Sequence, residues 1–460
     1  MPAVTCTWIA DNAQNSSTDA AWDTGLAPVA GDNLVFNSTH TGTCTINQAI
    51  TFGTITLGAS CGTVIQGAVS FGVSTFSMAG GTFTGAGDAT KTITFSGSFT
   101  VTAGTVTNYK IVAIFAGTGS ITGANFLYIG ISGTYSLESS AACYGTGAGL
   151  DISGSLNNKA ELAYKGTANP TISGTVTQTG GAYLHFYLTY GNYNIGFTST
   201  IDCDTTIDTG SSAAASGTAT LTHDLIMTKS LTVKSSHASN TVTLNHAGYS
   251  LSASSITAST RGVITDSVGG GTITGPITVN GTGAVLTQGS TIPLRIFGAL
   301  TLTAGTVTQV GPIWIGGAIT VTGGVFTGDG INPIYHTGPL AVTSITPTAA
   351  FFRNCHTINA YGAISQGTLA YPSEYMDDVT IKAGTVTANT QFHCKNLTIA
   401  SGATFVQSAN VPIIVCGQTS NAGTYTQNTP ALIVSGAEYS IVNPPANFPV
   451  NCSNKVGISG

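Results

Sequence analysis

Charged residues are scarce in this sequence, at 7% of 460 residues against about 25% in an ordinary globular protein. Lysine and arginine number only 12, and the net charge is −6. Nucleic-acid binding needs clustered basic residues, so no nucleic-acid partner is expected. A sparsely charged surface tends to associate. We therefore expect large surface areas to meet another copy of the chain, the alternative being a neutral, hydroxyl-rich surface that stays soluble.

Other signals are also missing. The sequence has no apolar stretch long enough to span a bilayer, so no membrane span is expected. The N-terminal MPAVTCTWIA lacks the basic start and long apolar core of a signal peptide. This favours either assembly inside a cell, as for a virion part, or numbering that begins after processing. No C-x-x-C pair occurs, which argues against a zinc knuckle, and we expect no metal or other cofactor.

A short repeat is the main feature that is present. It begins with alternating apolar residues and threonines, the period of a half-buried strand. A glycine follows where the chain must bend, and a second short strand completes the unit. The copies are FSMAGGTFT from Phe76, FTVTAGTVT from Phe99, LTLTAGTVT from Leu300, ITVTGGVFT from Ile319 and VTIKAGTVT from Val379, with looser ones from Ile55, Ile277 and Leu397. The bend glycines are Gly81, Gly104, Gly305, Gly324 and Gly384.

Neighbouring copies recur at intervals of about 20 residues, as from Phe76 to Phe99 and from Leu300 to Ile319, and a strand–bend–strand unit at this period predicts a β-solenoid. The fold class is therefore all-β, with a right-handed parallel β-helix of roughly 20 coils as the favoured form. We expect an N-terminal cap over residues 1–41, a solenoid over 42–440 and a proline-containing tail over 441–460. Looser coils are expected at about 136–225 and 331–375.

The expected cap, 1–41, differs from the rest because it holds two of the three tryptophans. Terminal solenoid repeats need bulky side chains to cover the apolar core. The pattern Trp8, Trp22, Pro28, Asp32 and Phe36, with Gly-Asp-Asn around Asp32, resembles the opening of β-helical surface and phage-appendage proteins. That resemblance supports the architecture. It implies function only broadly, because such proteins serve as adhesins, fibres, sheaths and carbohydrate-active appendages.

The nine cysteines suggest two kinds of pairing. The spacing from Cys44 to Cys61, like that from Cys394 to Cys416, is close to one coil, so each pair is a candidate disulfide between adjacent coils. Buried thiols acting as small apolar residues are the alternative. Cys6 and Cys452, near the two ends of the sequence, are candidates for bonds between chains or to the tail.

The carboxylates and histidines are the candidates for chemistry. Asp202 and Asp204, two apart, are expected to share a strand face, with Asp208 nearby, whereas adjacent Asp377 and Asp378 should point to opposite faces. Solenoid polygalacturonases and pectate lyases use clustered aspartates, but no His-Gly pair follows these, so they are expected to be solvated. All eight histidines are expected to be structural. No catalytic residue is predicted, and we expect the chain not to be an enzyme.

Two surface patterns remain. The aromatic residues Tyr183, Phe186, Tyr187, Tyr190 and Tyr193 are expected to fill a wider core, the alternatives being a sugar-stacking or a subunit-contact surface. The outward Thr301, Thr303, Thr306 and Thr308 resemble the threonine arrays of ice-binding solenoids, although strand propensity alone explains them.

These observations favour a self-assembling structural protein of an extracellular fibre, sheath or surface layer, or of a virion appendage. Its main partner would be itself, with surface carbohydrate as a further one. A carbohydrate-binding or carbohydrate-cleaving β-helix is the alternative, and an ice-binding solenoid is the third hypothesis.

Overall fold

The computed structural model describes residues 2–327 except 89, 108–110, 123–124, 146–148, 190 and 212–214. Beyond 327 it describes 334–336, 339–342, 352–353, 357–360, 376–381, 384–388, 392–407, 413–415, 418–427 and 432–433. The chain forms two compact units: Met1–Ser230 with His237–Asn240, and Leu231–Ser236 with Thr241–Gly460. The predicted tail, Tyr190, Cys355, Cys416 and Cys452 lie outside the described residues.

The fold is an all-β solenoid of parallel strands, as the repeat predicts. The turns differ in length from the coils of about 20 residues that the repeat indicates: the first runs from Thr5 to Asn33 and another from Tyr193 to Ala219. Within the described part, the single helical element is the 3₁₀ turn Asp19–Ala21.

The first unit has up to three strands per turn, one on each side of the coil, and each strand pairs with its counterpart in the next turn. The first side consists of Thr5–Thr7, Asn33–Phe36, Thr51–Leu57, Phe71–Met78, Phe99–Val101, Thr118–Thr122, Thr134–Leu137, Ser155–Asn158, Thr175–Gln178 and Ile201–Asp202. The second consists of Thr92–Phe95, Val112–Phe115, Tyr128–Ile131, Gly149–Ile152, Thr171–Ile172, Tyr193–Phe197 and Gly217–Leu221. The third side is made of two separate sheets. The first sheet holds Gln14–Asn15, Cys44–Ile46, Thr63–Gln66, Thr82–Thr84 and Thr105–Thr107, and the second holds Asn125–Phe126, Ala141–Gly145, Glu161–Gly166, Tyr183–Tyr187 and Asp204–Asp208. Leu225–Ile226 completes the unit.

The second unit repeats this arrangement. One side consists of Ser230–Lys234, which starts at the boundary, then Ser255–Ser259, Ile277–Asn280, Leu300–Leu302, Ile319–Val321, Pro339–Val342, Thr357–Ala360, Met376–Ile381, Phe392–Ile399 and Thr419–Asn421. The next holds Val242–Asn245, Gly262–Asp266, Val285–Gln288, Thr306–Gln309 and Val325–Thr327, and a separate stack of Gly384–Ala388, Ala403–Gln407 and Thr424–Gln427. The remaining strands are Leu251–Ser252, Thr272–Thr274, Leu294–Ile296, Ile313–Ile315, Ile334–His336 and Phe352–Arg353, with Ile413–Val415 and Leu432–Ile433.

The sequence repeats lie in register in the structure. Leu300 pairs with Ile277 on one side and Ile319 on the other, and Leu300 and Leu302 are fully buried. In the first unit Phe99 pairs with Phe76, and their ring centroids are 5.0 Å apart in a stacked arrangement. Each such apolar side chain stabilises the fold by about 1.5–3 kcal/mol when buried. The stacked turns therefore supply a core that one turn could not form alone.

The segment 1–41, expected to be an N-terminal cap, contributes strands to the first unit's sheets. Thr5–Thr7 pairs with Asn33–Phe36, which pairs in turn with Thr51–Leu57. Trp8, Trp22 and Phe36 are buried and pack with ring centroids 5.1–5.9 Å apart. The outer edge at Thr7 is covered, because Thr7 N–H donates to Asp23 Oδ1 at 2.8 Å and Asp23 N–H donates to the Thr7 carbonyl. The cap thus closes part of an edge that would otherwise recruit another strand.

Gly81, Gly104, Gly305 and Gly324 occupy bends with φ between 70° and 99°. Gly384 begins the strand Gly384–Ala388, and the residues before it are outside the described ones. At Gly305 a Cβ would also lie 2.4 Å from the carbonyl oxygen of Ala284, in the turn before. This bend therefore needs glycine for its backbone angle and for close approach of two turns.

We predict that Gly305→Ala lowers the free energy of unfolding by about 2–4 kcal/mol, because the methyl group adds a backbone clash to the strain of a positive φ. Gly402→Ala is the matched control in the same unit: its φ is +81° and nothing lies within 4 Å of the added Cβ. It should cost about 1 kcal/mol. Urea unfolding measures both free energies of unfolding. Equal decreases in the two variants would show that the close approach to the Ala284 carbonyl oxygen adds no destabilisation.

Candidate functional site

The third side of the first unit carries a polar cluster that includes an unexpected histidine. His185 lies in Tyr183–Tyr187, paired with Ala163 in the turn before and Thr206 in the turn after. Its Nδ1 is 3.0 Å from Glu161 Oε1, and its Nε2 is 3.6 Å from Asp208 Oδ2. The His185 ring stacks on Tyr187 at 3.7 Å, with Lys165 Nζ 4.5 Å from the Tyr187 ring centre. An imidazole is therefore held between two carboxylates and beside aromatic rings.

Burial decides what this cluster can do. His185 is 7% exposed and Asp208 1%, although the aspartates were expected to be solvated. Burial, followed by the charges of Glu161 and Asp208, raises the pKa of Tyr187 above its ordinary value. His185 Nε2 has no hydrogen-bond partner among the described atoms. Imidazole–carboxylate pairs can transfer protons, but His185 and Asp208 are covered, and we assign the cluster no reaction.

The other two aspartates of this segment do not share a strand face, contrary to prediction. One strand ends at Asp202 and the next begins at Asp204, so the chain turns a corner at Cys203. Asp202 accepts from Thr228 Oγ1 and lies 3.8 Å from Lys229 Nζ. Asp204 accepts hydrogen bonds from Ser230 and Gln178. Burial alone would raise the pKa of Asp204, but these hydrogen bonds hold that pKa below its ordinary value. The corner gives the two carboxylates separate partners.

Asp377 and Asp378 lie in Met376–Ile381, where Asp378 pairs with Thr357 and Asn396. Their side chains lie outside the described part. Among the described residues, no group of three or more His, Cys, Asp or Glu is arranged to hold a metal ion.

The described cysteines do not form the expected disulfides. Cys44 and Cys61 are buried free thiols. Cys44 pairs with Val64 and not with Cys61, so the spacing of the two cysteines falls short of one full turn. Cys6 is also buried, which removes it from contact with another chain in this conformation. Cys394 pairs with Val415, and its proposed partner Cys416 lies outside the described residues.

The aromatic run divides between core and outer face. Phe186 and Tyr193 are buried and belong to the core, as expected, whereas Tyr183 and Tyr187 are half-buried beside His185.

The threonines on either side of Val307 form one continuous column rather than two, although Thr82 and Thr84 pair with Thr105 and Thr107 in the first unit. Thr308 continues a column through Thr287 and Thr327, whereas Thr306 lies between Val285 and Val325. Valines thus interrupt the second column that a paired array requires.

The described large apolar side chains that remain exposed fall mainly in two places. Val4, Ile9, Leu26 and Val29 form one group at the N-terminal end, which we call the end patch. Tyr249, Val268, Ile292, Phe297, Val310, Trp314 and Val325 belong to the second unit, and Ile226 stands apart from both groups. Contiguous apolar exposure marks interaction surfaces, and in the end patch Val4 and Val29 are joined through Asp32, which accepts the N–H groups of both. No helix among the described residues has the length and hydropathy needed to cross a bilayer.

A second histidine–aspartate pair is buried in the second unit. His246 and Asp266 are fully buried, with His246 Nδ1 4.0 Å from Asp266 Oδ1 and 3.0 Å from the Tyr249 carbonyl oxygen. Asp266 accepts from the backbone N–H groups of Gly248, Gly269 and Gly271. Burial lowers the pKa of His246 below 6.5, although Asp266 and the Tyr249 carbonyl oppose that shift. The folded chain therefore favours the neutral imidazole.

We predict that the second unit loses stability as pH falls below about 6.5, because the unfolded chain then binds a proton that folded His246 resists. One such proton costs up to about 1.4 kcal/mol per pH unit. His246→Gln keeps a donor for Tyr249 and should remove this part of the pH dependence in denaturant titrations. His237→Gln, at a half-buried histidine of the first unit, is the control and should leave the pH dependence of the second unit unchanged. Identical pH profiles for wild type and His246→Gln would contradict the assignment.

The comparisons with known proteins return no relative. No family model matches the chain, and no curated protein or solved structure matches it either.

Proposed function

We propose that this chain is a non-enzymatic structural protein that assembles with copies of itself into an extracellular fibre, sheath or surface layer, or into a virion appendage. The observation that supports the proposal most directly is the end patch, where Leu26 is 67% and Val29 54% exposed. Covering large apolar side chains that are exposed to water lowers the free energy. A second copy of the chain is the occupant that this patch favours.

The end patch is built on a fixed framework. The buried carboxylate of Asp32 accepts the N–H of Val4 at 2.8 Å and the N–H of Val29 at 2.9 Å, so one side chain holds both exposed valines. Asp19 Oδ1 accepts the N–H of Ala27, next to Leu26. Because ordered groups lose little conformational entropy on association, such a patch is suited to binding.

Asp23 also limits the mode of contact. Since it covers the outer edge of Thr7, addition of a β-strand at that position is opposed. The association that we propose uses side chains of the end patch, together with flanks that carry few charges to keep copies apart.

The two other hypotheses have less support. Cleavage of carbohydrate needs paired carboxylates that reach the substrate. Asp202 and Asp204 are instead separated by a corner, and Asp208 is buried. Ice binding by paired threonine columns is disfavoured by the valines that flank Thr306.

We predict that Leu26→Glu raises the concentration at which the chain self-associates by about tenfold or more. The substitution removes an apolar contact and places a charge in the interface. Sedimentation velocity over a range of concentrations measures this shift.

Ile226→Glu is the matched control, since it introduces the same charge at an exposed apolar residue outside both groups. It should leave the association unchanged. A wild-type chain that stays monomeric at every concentration would overturn the proposed function. Equal effects of Leu26→Glu and Ile226→Glu would show that the end patch is not the contact surface.

A further inference from the structure

One outward-facing position in the second unit carries an unusual column of residues. In successive turns Arg295 pairs with Trp314, Trp314 with Tyr335, and Tyr335 with Arg353. Neighbouring strands of a sheet lie about 4.8 Å apart. By backbone register, two aromatic residues therefore occupy adjacent turns at this position with an arginine in the turn before and in the turn after, and we call this set the aromatic–arginine column.

The orientation of its first two members is clear. Arg295 and Trp314 are exposed, while Leu294, Ile296, Ile313 and Ile315 on either side of them are buried. Strand alternation thus directs Arg295 and Trp314 away from the core. Tyr335 and Arg353 are placed here by backbone register alone.

Composition makes this column exceptional. The sequence has three tryptophans and 12 lysines and arginines. Trp8 and Trp22 are buried in the cap, whereas Trp314 is 46% exposed. Ile292, Phe297 and Val310, near the ends of these two strands, are exposed as well. The exposed cation Arg295 thus lies in register with the exposed Trp314, and exposed apolar residues flank their strands.

We propose that the aromatic–arginine column binds an acidic polysaccharide, a polymer of sugar rings that carry carboxylates. The apolar faces of sugar rings pack against aromatic rings. The planar guanidinium of arginine pairs with carboxylates through two parallel hydrogen bonds. A polymer lying across the strands would meet one residue of the column per turn. Nucleic acid fits less well, because its affinity depends on many clustered cations.

This site is separate from the end patch, so it does not depend on the proposed self-assembly. A structural protein with such a site would attach to an acidic glycan through the second unit while its N-terminal end contacts another copy.

The test uses the full chain with oligogalacturonate as the acidic probe and a neutral glucan oligomer of similar length. Because Trp314 is the exposed tryptophan among three, binding should protect tryptophan fluorescence from acrylamide quenching. Binding should saturate with oligogalacturonate, weaken as salt rises, and be weaker for the neutral oligomer.

Calorimetry then compares variants. Trp314→Ala and Arg295→Gln should each weaken oligogalacturonate binding by about tenfold. Lys234→Gln, which removes a cation of the same unit outside the column, should leave it unchanged. Sedimentation of the variants checks that they remain folded, and Leu26→Glu should still bind the oligomer even where its self-association is lost.

Absence of saturable binding to oligogalacturonate would overturn the proposal, as would equal affinities for wild type and Trp314→Ala. Loss of self-association in Trp314→Ala without any glycan binding would also overturn it and assign the column to contact between copies of the chain.

Discussion

The structure depends on burying one apolar face of each turn against the next turn. A single turn has too little apolar surface to offset the entropy of ordering its backbone. Stacking in register solves this, because Ile277, Leu300 and Ile319 each lie directly above the last and share one buried column. Parallel pairing along the same positions satisfies the backbone N–H and C=O groups. Apolar register and hydrogen bonding therefore reinforce each other.

Differences in length between turns occur at the corners and not within the strands. The turn from Thr118 to Thr134 is much shorter than the turn from Val176 to Ile201, yet pairing remains parallel in both. A one-residue slip within a strand would expose the apolar side chains, whereas an added residue at a bend costs little. The corners consequently hold the glycines of positive φ, and the carboxylate of buried Asp266, at the end of its strand, accepts three backbone N–H groups from corner glycines.

The strand registers were predictable from the sequence, and the corner contacts were not. Phe76 and Phe99, like Leu300 and Ile319, stand at the start of visible repeats, and the structure pairs them as the repeat implies. The predicted pairing of Cys44 with Cys61 was wrong because their spacing was treated as one turn, when the local turn runs on to Val64. His185 was missed for a related reason. Its carboxylate partners lie on the strands of the turns before and after it, so they could be found only by applying the local turn length to polar residues.

Because the chain has few charged residues, each charged side chain that remains exposed is a candidate for recognition of a partner. Several of the charged side chains are hydrogen-bonded within the fold, as in Glu161 with His185 or Asp32 with two backbone N–H groups. Such groups contribute little to recognition, because their hydrogen-bonding capacity is already used. Arg295 differs, since it is exposed in register with exposed Trp314. Arg295 and Trp314 thus place an exposed cation and an exposed aromatic residue on adjacent turns, and this is the feature on which the proposed glycan site depends.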